Sequence, residues 1–260
     1  MTSPSESVVL CEGFHDRAFW KGWLEHLRCE DARPVRPDGS YGTAKDPFGK
    51  PVQGGQWAFR TPGGGFLRVS PCGGDNGVLK ELRTRLEGRK TNALRRVITS
   101  LDNDAITSDV ALSQRAESLR QSFTSAIAAA DPRYERLANG DLILDDGRTV
   151  ASLVLWQSAA ERVPAHVPAK QTLERLVCSA LCAAYPDRGA AVAAWLVARP
   201  DAPPPGPKEF AWSHMAGWYA SKGCDEFYQA LWKDAAVAEA LRQRLDAAGA
   251  WDIVEALIAG

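Results

Sequence analysis

Apolar residues follow two alternating rhythms from Val8 to Ala130: short, largely apolar runs, and longer stretches where they recur every three or four positions. Val8-Val9-Leu10-Cys11, Phe66-Leu67-Arg68-Val69-Ser70 and Val97-Ile98-Thr99-Ser100-Leu101 are of the first kind and read as buried strands. Three stretches are of the second kind and read as helices. They are Asp16 to Arg28 (Phe19, Trp20, Trp23, Leu24, Leu27), the segment after Gly77 (Val78, Leu79, Leu82, Leu86), and about Ser108 to Ala130 (Val110, Leu112, Leu119, Phe123, Ile127). Asp131-Pro132 stops the last of them. The alternation predicts an α/β fold, a mostly parallel sheet of about four or five strands flanked by helices, with right-handed crossovers. Leu142-Ile143-Leu144, an Asp-Gly turn at 145–148 and Val150 to Trp156 read as strand, turn and longer strand, with Asp145 and Asp146 as turn residues.

Two regions depart from that rhythm. Residues 30–65 are rich in proline and glycine and carry only short apolar patches, which predicts an insertion with a short hairpin or two. A lid, a substrate groove and a mere decoration all fit it. Beyond residue 160 the pattern is helical: Gln171 to Tyr185, Gly189 to Val197, Lys208 to Tyr219, Asp225 to Leu231 and Ala235 to Leu257. The expected organisation is a core over 1–160, interrupted by the insertion at 30–65, and a helical C-terminal region over 161–260 packed on it.

The chemistry concentrates where two of the strands end. The first becomes Glu12-Gly13-Phe14-His15-Asp16 and the third becomes Asp102-Asn103-Asp104. In an open α/β sheet, ligands sit beyond the carboxyl ends of the strands. If the two strands are neighbours, Glu12, Asp16, Asp102 and Asp104 converge there. Crowded carboxylates repel unless a cation neutralises them, and hard oxygen donors favour Mg²⁺ or Mn²⁺. The competing reading makes Glu12 a helix cap and Asp102-Asn103-Asp104 a solvated turn.

The second strand leads into Pro71-Cys72-Gly73-Gly74-Asp75-Asn76-Gly77 and then a helix. Glycines at such a turn let backbone amides approach an anion, and the helix N-terminus favours negative charge. A plain left-handed turn is the alternative.

Composition narrows the classes. Of 260 residues, 45% are hydrophobic and 24% charged, as in an ordinary globular chain. No apolar stretch is long enough to span a bilayer and the N-terminus lacks a signal pattern, so a cytoplasmic protein with no membrane partner is expected. Six cysteines without a signal pattern point to reduced thiols. Cys178 and Cys182, even with Cys224 or His214, lack a C-x-x-C pair and read as buried thiols rather than zinc ligands. The net charge of −1 gives no overall attraction for nucleic acid. Seven basic residues nonetheless fall between Lys80 and Arg96, as a solvated helix face or as phosphate contacts.

The ordered set of Glu12-Gly13-x-x-Asp16 after a strand, a glycine-rich turn before a helix, and Asp102-x-Asp104 after another strand resembles the toprim domain. That domain occurs in topoisomerases, bacterial primases, the 5S-rRNA maturation nuclease and the OLD-type nucleases, and the spacing of Glu12 and Asp16 looks most like the last two. The resemblance covers roughly residues 7–130. It implies a phosphate-facing role for Gly73, Gly74 and Asn76. Pro207 to Trp212, with Trp218, resembles the C-terminal segment of a toprim-like family of unknown function. OLD-type nucleases use a late acid and a late lysine near their metals, which here implies Glu174 and Lys208.

The resemblance thus implies a Mg²⁺- or Mn²⁺-dependent nuclease acting on DNA or RNA. Glu12, Asp16, Asp102, Asp104 and Glu174 would be metal ligands, Glu12 also a candidate general base, and Lys208 a catalytic cation for the transition-state phosphate. No residue matches a covalent nucleophile. The rival reading is a degenerate toprim module that binds nucleic acid or nucleotide without cutting, within a larger complex or beside a protein partner. On the nuclease reading, Asp102→Ala removes a ligand and leaves the fold intact, because a strand-end carboxylate contributes little packing.

Overall fold

A computed structural model describes residues 5–105, 109–158, 167, 169–198 and 223–259. Strand β1 (Glu6–Cys11) is buried along its whole length and leads into helix α1 (Phe14–His26). The insertion supplies β2 (Glu30–Asp31) and β3 (Trp57–Arg60), with isolated bridges Val35–Tyr41 and Lys45–Pro51 closing two small hairpins between them. Then come β4 (Phe66–Pro71), α2 (Asp75–Glu87), the short α3 (Arg89–Asn92), β5 (Leu94–Asp102) and α4 (Asp109–Ala130). Strands β6 (Tyr134–Arg136), β7 (Leu142–Leu144) and β8 (Val150–Trp156) follow. Helices α5 (Leu173–Ala184), α6 (Pro186–Val197), α7 (Cys224–Lys233), α8 (Ala235–Ala247) and α9 (Ala250–Ile258) complete the described chain.

The fold is α/β, and its sheet is larger and more mixed than expected. Eight strands run in the order β2-β3-β4-β1-β5-β8-β7-β6. Strand β1 pairs in parallel with β4 on one side and β5 on the other. The pairs β2–β3, β3–β4, β6–β7 and β7–β8 are antiparallel. The parallel centre is the part the apolar runs announce, because strands covered on both faces need no polar alternation. Where one long C-terminal helix was expected from Ala235 to Leu257, the chain forms α8 and α9. It breaks at Gly249, whose φ of 69° lies in the left-handed region that ends helices. The expected helix over Lys208 to Tyr219 lies outside the described residues.

Contacts divide the chain into two compact units, one within Met1–Leu101, Arg120–Val154 and Asp252–Gly260, the other within Asp102–Leu119 and Leu155–Trp251. In the first, α1 packs on β4 and α2 on β1. The aromatic stripe of α1 is core: Phe19, Trp20 and Trp23 have no exposed surface, and the Trp20 and Trp23 rings stack 5.1 Å apart. Each such side chain contributes roughly 1.5–3 kcal/mol of apolar burial. In the second unit, α5 packs against α6 and α8, and α7 against α8, around Leu173, Leu176, Val177, Leu181, Phe227 and Leu241. Among the described residues no helix is long and apolar enough to cross a membrane.

Candidate functional site

The pairing of β1 with β5 decides which acids share an edge of the sheet. The two strands run parallel, with Val8 opposite Val97, Val9 opposite Ile98 and Leu10 opposite Thr99. Ser100 locks that register: its hydroxyl donates to the Leu10 carbonyl at 3.2 Å and accepts the Trp20 indole N–H at 3.1 Å. Glu12 follows β1 directly and Asp102 is the last residue of β5, so each strand ends in a carboxylate.

At the β1 end, the glycine turn after β4 is spent on the protein itself. The N–H groups of Gly73 and Gly74 both donate to the Glu12 carbonyl, at 2.9 and 3.0 Å, and the Cys72 N–H donates to the Cys11 carbonyl at 2.9 Å. The Asn76 N–H donates to the Asp75 carboxylate at 2.6 Å. The three amides assigned to a phosphate are therefore engaged, and a carboxylate of the chain already occupies the first turn of α2. Gly73 and Gly74 are needed for another reason: their φ values of 80° and 91° are left-handed. Gly77 is required by contact, since a Cβ there would stand 2.0 Å from the Cys72 carbonyl oxygen.

Asp16, expected at the rim, is buried. Its Oδ2 accepts the Gly13 N–H at 3.1 Å, so it reaches back to cap the start of α1. Glu12 is half-buried. Beneath it Cys11 is fully buried, and burial, reinforced by the nearby Asp16 charge, pushes its thiol well above its ordinary range. Cys11 is thus a neutral packing group here and no nucleophile.

At the β5 end, Asp102 is buried and its Oδ1 accepts the N–H of Leu173, the first residue of α5, at 2.9 Å. The Thr172 hydroxyl accepts from the Arg175 N–H, so two of the open donors of that helix end are met by side chains. Asn103, the unassigned residue between the two acids, organises the turn. It is fully buried, donates from Nδ2 to the Leu112 carbonyl and the Gln157 side chain at 3.1 Å each, and accepts the Ala105 N–H on Oδ1. Asp104 then takes a left-handed φ of 64°, which aspartate tolerates better than most residues. Its N–H donates to the Gln171 carbonyl at 2.8 Å, and Gln171 N–H returns a bond to the Ala105 carbonyl at 2.9 Å. This clasp sets Lys170 beside Asp104, Nζ to Oδ1 at 2.6 Å, both partly exposed.

Glu174 is buried in the first turn of α5. Lys208 lies outside the described residues, as do His214 and Trp218. Sequence reasoning missed Asn103, Lys170 and Gln171. An asparagine between two aspartates after a strand is a recognisable turn-forming signal. Lys170 carried none, because its neighbour Asp104 is 66 positions away.

The basic run over 80–96 resolves mostly into structural pairs. Arg83 bonds Glu87 and Arg85 bonds Glu81, both at 2.7 Å. Arg96 bonds Asp141 at 3.0 Å, and the buried Arg89 gathers Asp131, Asp145 and Asp146. Asp145 and Asp146 do lie in the turn before β8, where Asp146 accepts the N–H groups of Arg148 and Thr149.

Among the described residues, no three histidine, cysteine, aspartate or glutamate side chains are gathered closely enough to hold a metal ion. What the edge does hold is an ammonium group on Asp104 and a helix N-terminus on Asp102, two positively polarised partners for two carboxylates. Comparison with protein-family models, with curated proteins and with solved structures finds no match to the chain.

Proposed function

We propose that the chain is a Mg²⁺- or Mn²⁺-dependent nuclease of toprim-like type, hydrolysing phosphodiester bonds of DNA or RNA at the carboxyl edge of β1 and β5. The observation that carries this reading is the parallel pairing of those two strands, each running straight into carboxylates. Glu12, Asp102 and Asp104 would hold the ion, with the buried Asp16 and Glu174 as the further acids the resemblance implies. The donor set suits a hard cation, and the ammonium of Lys170 on Asp104 already stands in for positive charge there. When bound, the ion would supply an activated water and charge on the scissile phosphate. Glu12, half-buried, would be the candidate general base. Lys170, released from Asp104 when an ion takes its place, would neutralise phosphate charge, the role the resemblance assigns to Lys208.

A second reading is a nucleic-acid-binding module that does not cut. It is favoured by the engagement of Asp102 with α5 and of Asp104 with Lys170, and by the absence of a gathered metal group among the described residues. The two readings separate on purified protein incubated with short single- and double-stranded DNA and RNA, with Mn²⁺ or with chelator. The nuclease reading expects products only with Mn²⁺ and none from Glu12→Gln. Oligonucleotide binding without products under any condition leaves the second reading standing.

A further inference from the structure

The insertion and the start of α1 together carry a feature that no part of the acidic edge requires. Phe14, Arg17, Trp57, Arg33 and Tyr41 form a single run in which aromatic rings and guanidinium groups alternate. The Arg17 guanidinium lies 4.9 Å from the Phe14 ring centre and 5.7 Å from that of Trp57. The Arg33 guanidinium lies 4.1 Å from Trp57 and 4.3 Å from Tyr41. All five belong to the first unit.

The run is anchored from several sides. Arg17 donates to the Gly55 carbonyl at 2.7 Å and Asp31 holds Arg33 with both oxygens. Under the hairpins, Ala44, Val52, Ala58 and Phe66 form a small core, and Arg68 bridges Glu6 on β1 to Asp46. Yet the two ends of the run are open: Phe14 is 62% exposed and Tyr41 52%. An anchored array with an exposed ring at each end leaves aromatic surface within reach of a ligand.

We infer that this run is a stacking platform for single-stranded nucleic acid. Bases stack on exposed aromatic faces regardless of sequence, and basic side chains beside the rings meet the phosphates. The charge is right for that occupant. Between β2 and β3 the exposed ionised side chains are Arg36, Lys45 and Lys50 against Asp38, and Arg17 spends its bond on a neutral carbonyl. A duplex keeps its base faces inside its own stack and gains little from such a surface. Phe14 is the second residue beyond Glu12, so a strand laid along the run is led to the end of β1. The inference rests on the nucleic-acid reading given above and specifies its substrate as unpaired strand.

The test is fluorescence anisotropy of the full chain with labelled oligo-dT and oligo-U of about 20 nucleotides, and with a duplex of the same length, all in chelator so that no cleavage intervenes. Single strands should bind more tightly than duplex. Phe14→Leu and Tyr41→Leu should each weaken single-strand binding by about five-fold or more at an unchanged melting temperature, and Tyr41→Phe should restore it. Wild-type failure to bind, equal binding of duplex, or leucine variants that bind like wild type would each overturn the inference. The outcomes are separable from those for the nuclease. Binding through this run without cleavage sinks the nuclease alone, and Mn²⁺-dependent cleavage with an indifferent Tyr41→Leu sinks the platform alone.

Discussion

Asp102 Oδ1 accepts the backbone N–H of Leu173 at 2.9 Å, so the last residue of β5 caps the first turn of α5. This changes what a mutation there should do. Asp102→Ala is not neutral to the fold: it leaves a buried helix-end donor unmet and should cost about 1–2 kcal/mol. Asp102→Asn keeps the acceptor and should cost less than about 0.5 kcal/mol while removing the charge. Urea unfolding of the two variants checks this, and equal stability of alanine and asparagine would refute the capping role.

Lys170 should compete with metal for Asp104. On the proposed function, Lys170→Ala removes the ammonium from Asp104, so Mn²⁺ should bind several-fold more tightly while cleavage slows about ten-fold or more. Calorimetric titration and single-turnover cleavage measure the two effects separately. Weaker Mn²⁺ binding in this variant would show that Lys170 holds Asp104 in place for the ion instead of opposing it.

Arg89 joins parts of the first unit that are distant in sequence, pairing with Asp131, Asp145 and Asp146 from a buried position and donating to the Leu86 carbonyl. Removing one member of a buried ionic cluster strands the others without compensation. Arg89→Met should therefore destabilise by about 3–5 kcal/mol. Arg89→Lys should recover only part of that, since an ammonium cannot serve three carboxylates in one planar fork. A loss below about 1 kcal/mol in chemical unfolding would show that the cluster is solvated.

The sheet's centre was legible in the sequence, and its flanks were not. Val8 to Cys11 and Val97 to Leu101 are buried on both faces and largely apolar, and so announce themselves. Strands of two and three residues, Glu30–Asp31 and Tyr134–Arg136, exist only because an antiparallel neighbour pairs with them, and no periodicity in so short a segment can show it. The same holds within the site. Glu12, Asp102 and Asp104 could be named from the strands they follow. That Gly73 and Gly74 aim their amides at the Glu12 carbonyl, and that Lys170 meets Asp104, depends on contacts between distant segments.

Alkaline pH should destabilise the fold through its buried thiols. Burial pushes Cys29 from the ordinary 9.0 up to about 12, and burial pushes Cys72 and Cys182 to about 11. Below pH 9 native and unfolded chains both keep these protons. Above it the unfolded chain loses them while the native one does not, so stability falls from about pH 9 until the native thiols titrate near 11–12. Melting temperature should be nearly flat from pH 7 to 8.5 and decline above 9, and Cys29→Ala should shallow the decline. An unaltered pH profile in that variant would contradict the assignment.

In the proposed function the carboxylates closing β1 and β5 serve one cation, which Mn²⁺ titration of wild type, Glu12→Gln and Asp102→Asn puts to the test. Each substitution preserves size and hydrogen-bonding shape and removes one charge from one strand end. The account predicts Mn²⁺ binding by wild type that is weakened at least about ten-fold by either change alone, with melting temperatures in chelator little altered. Mn²⁺ binding of wild-type strength in either variant, or none in wild type, would contradict it.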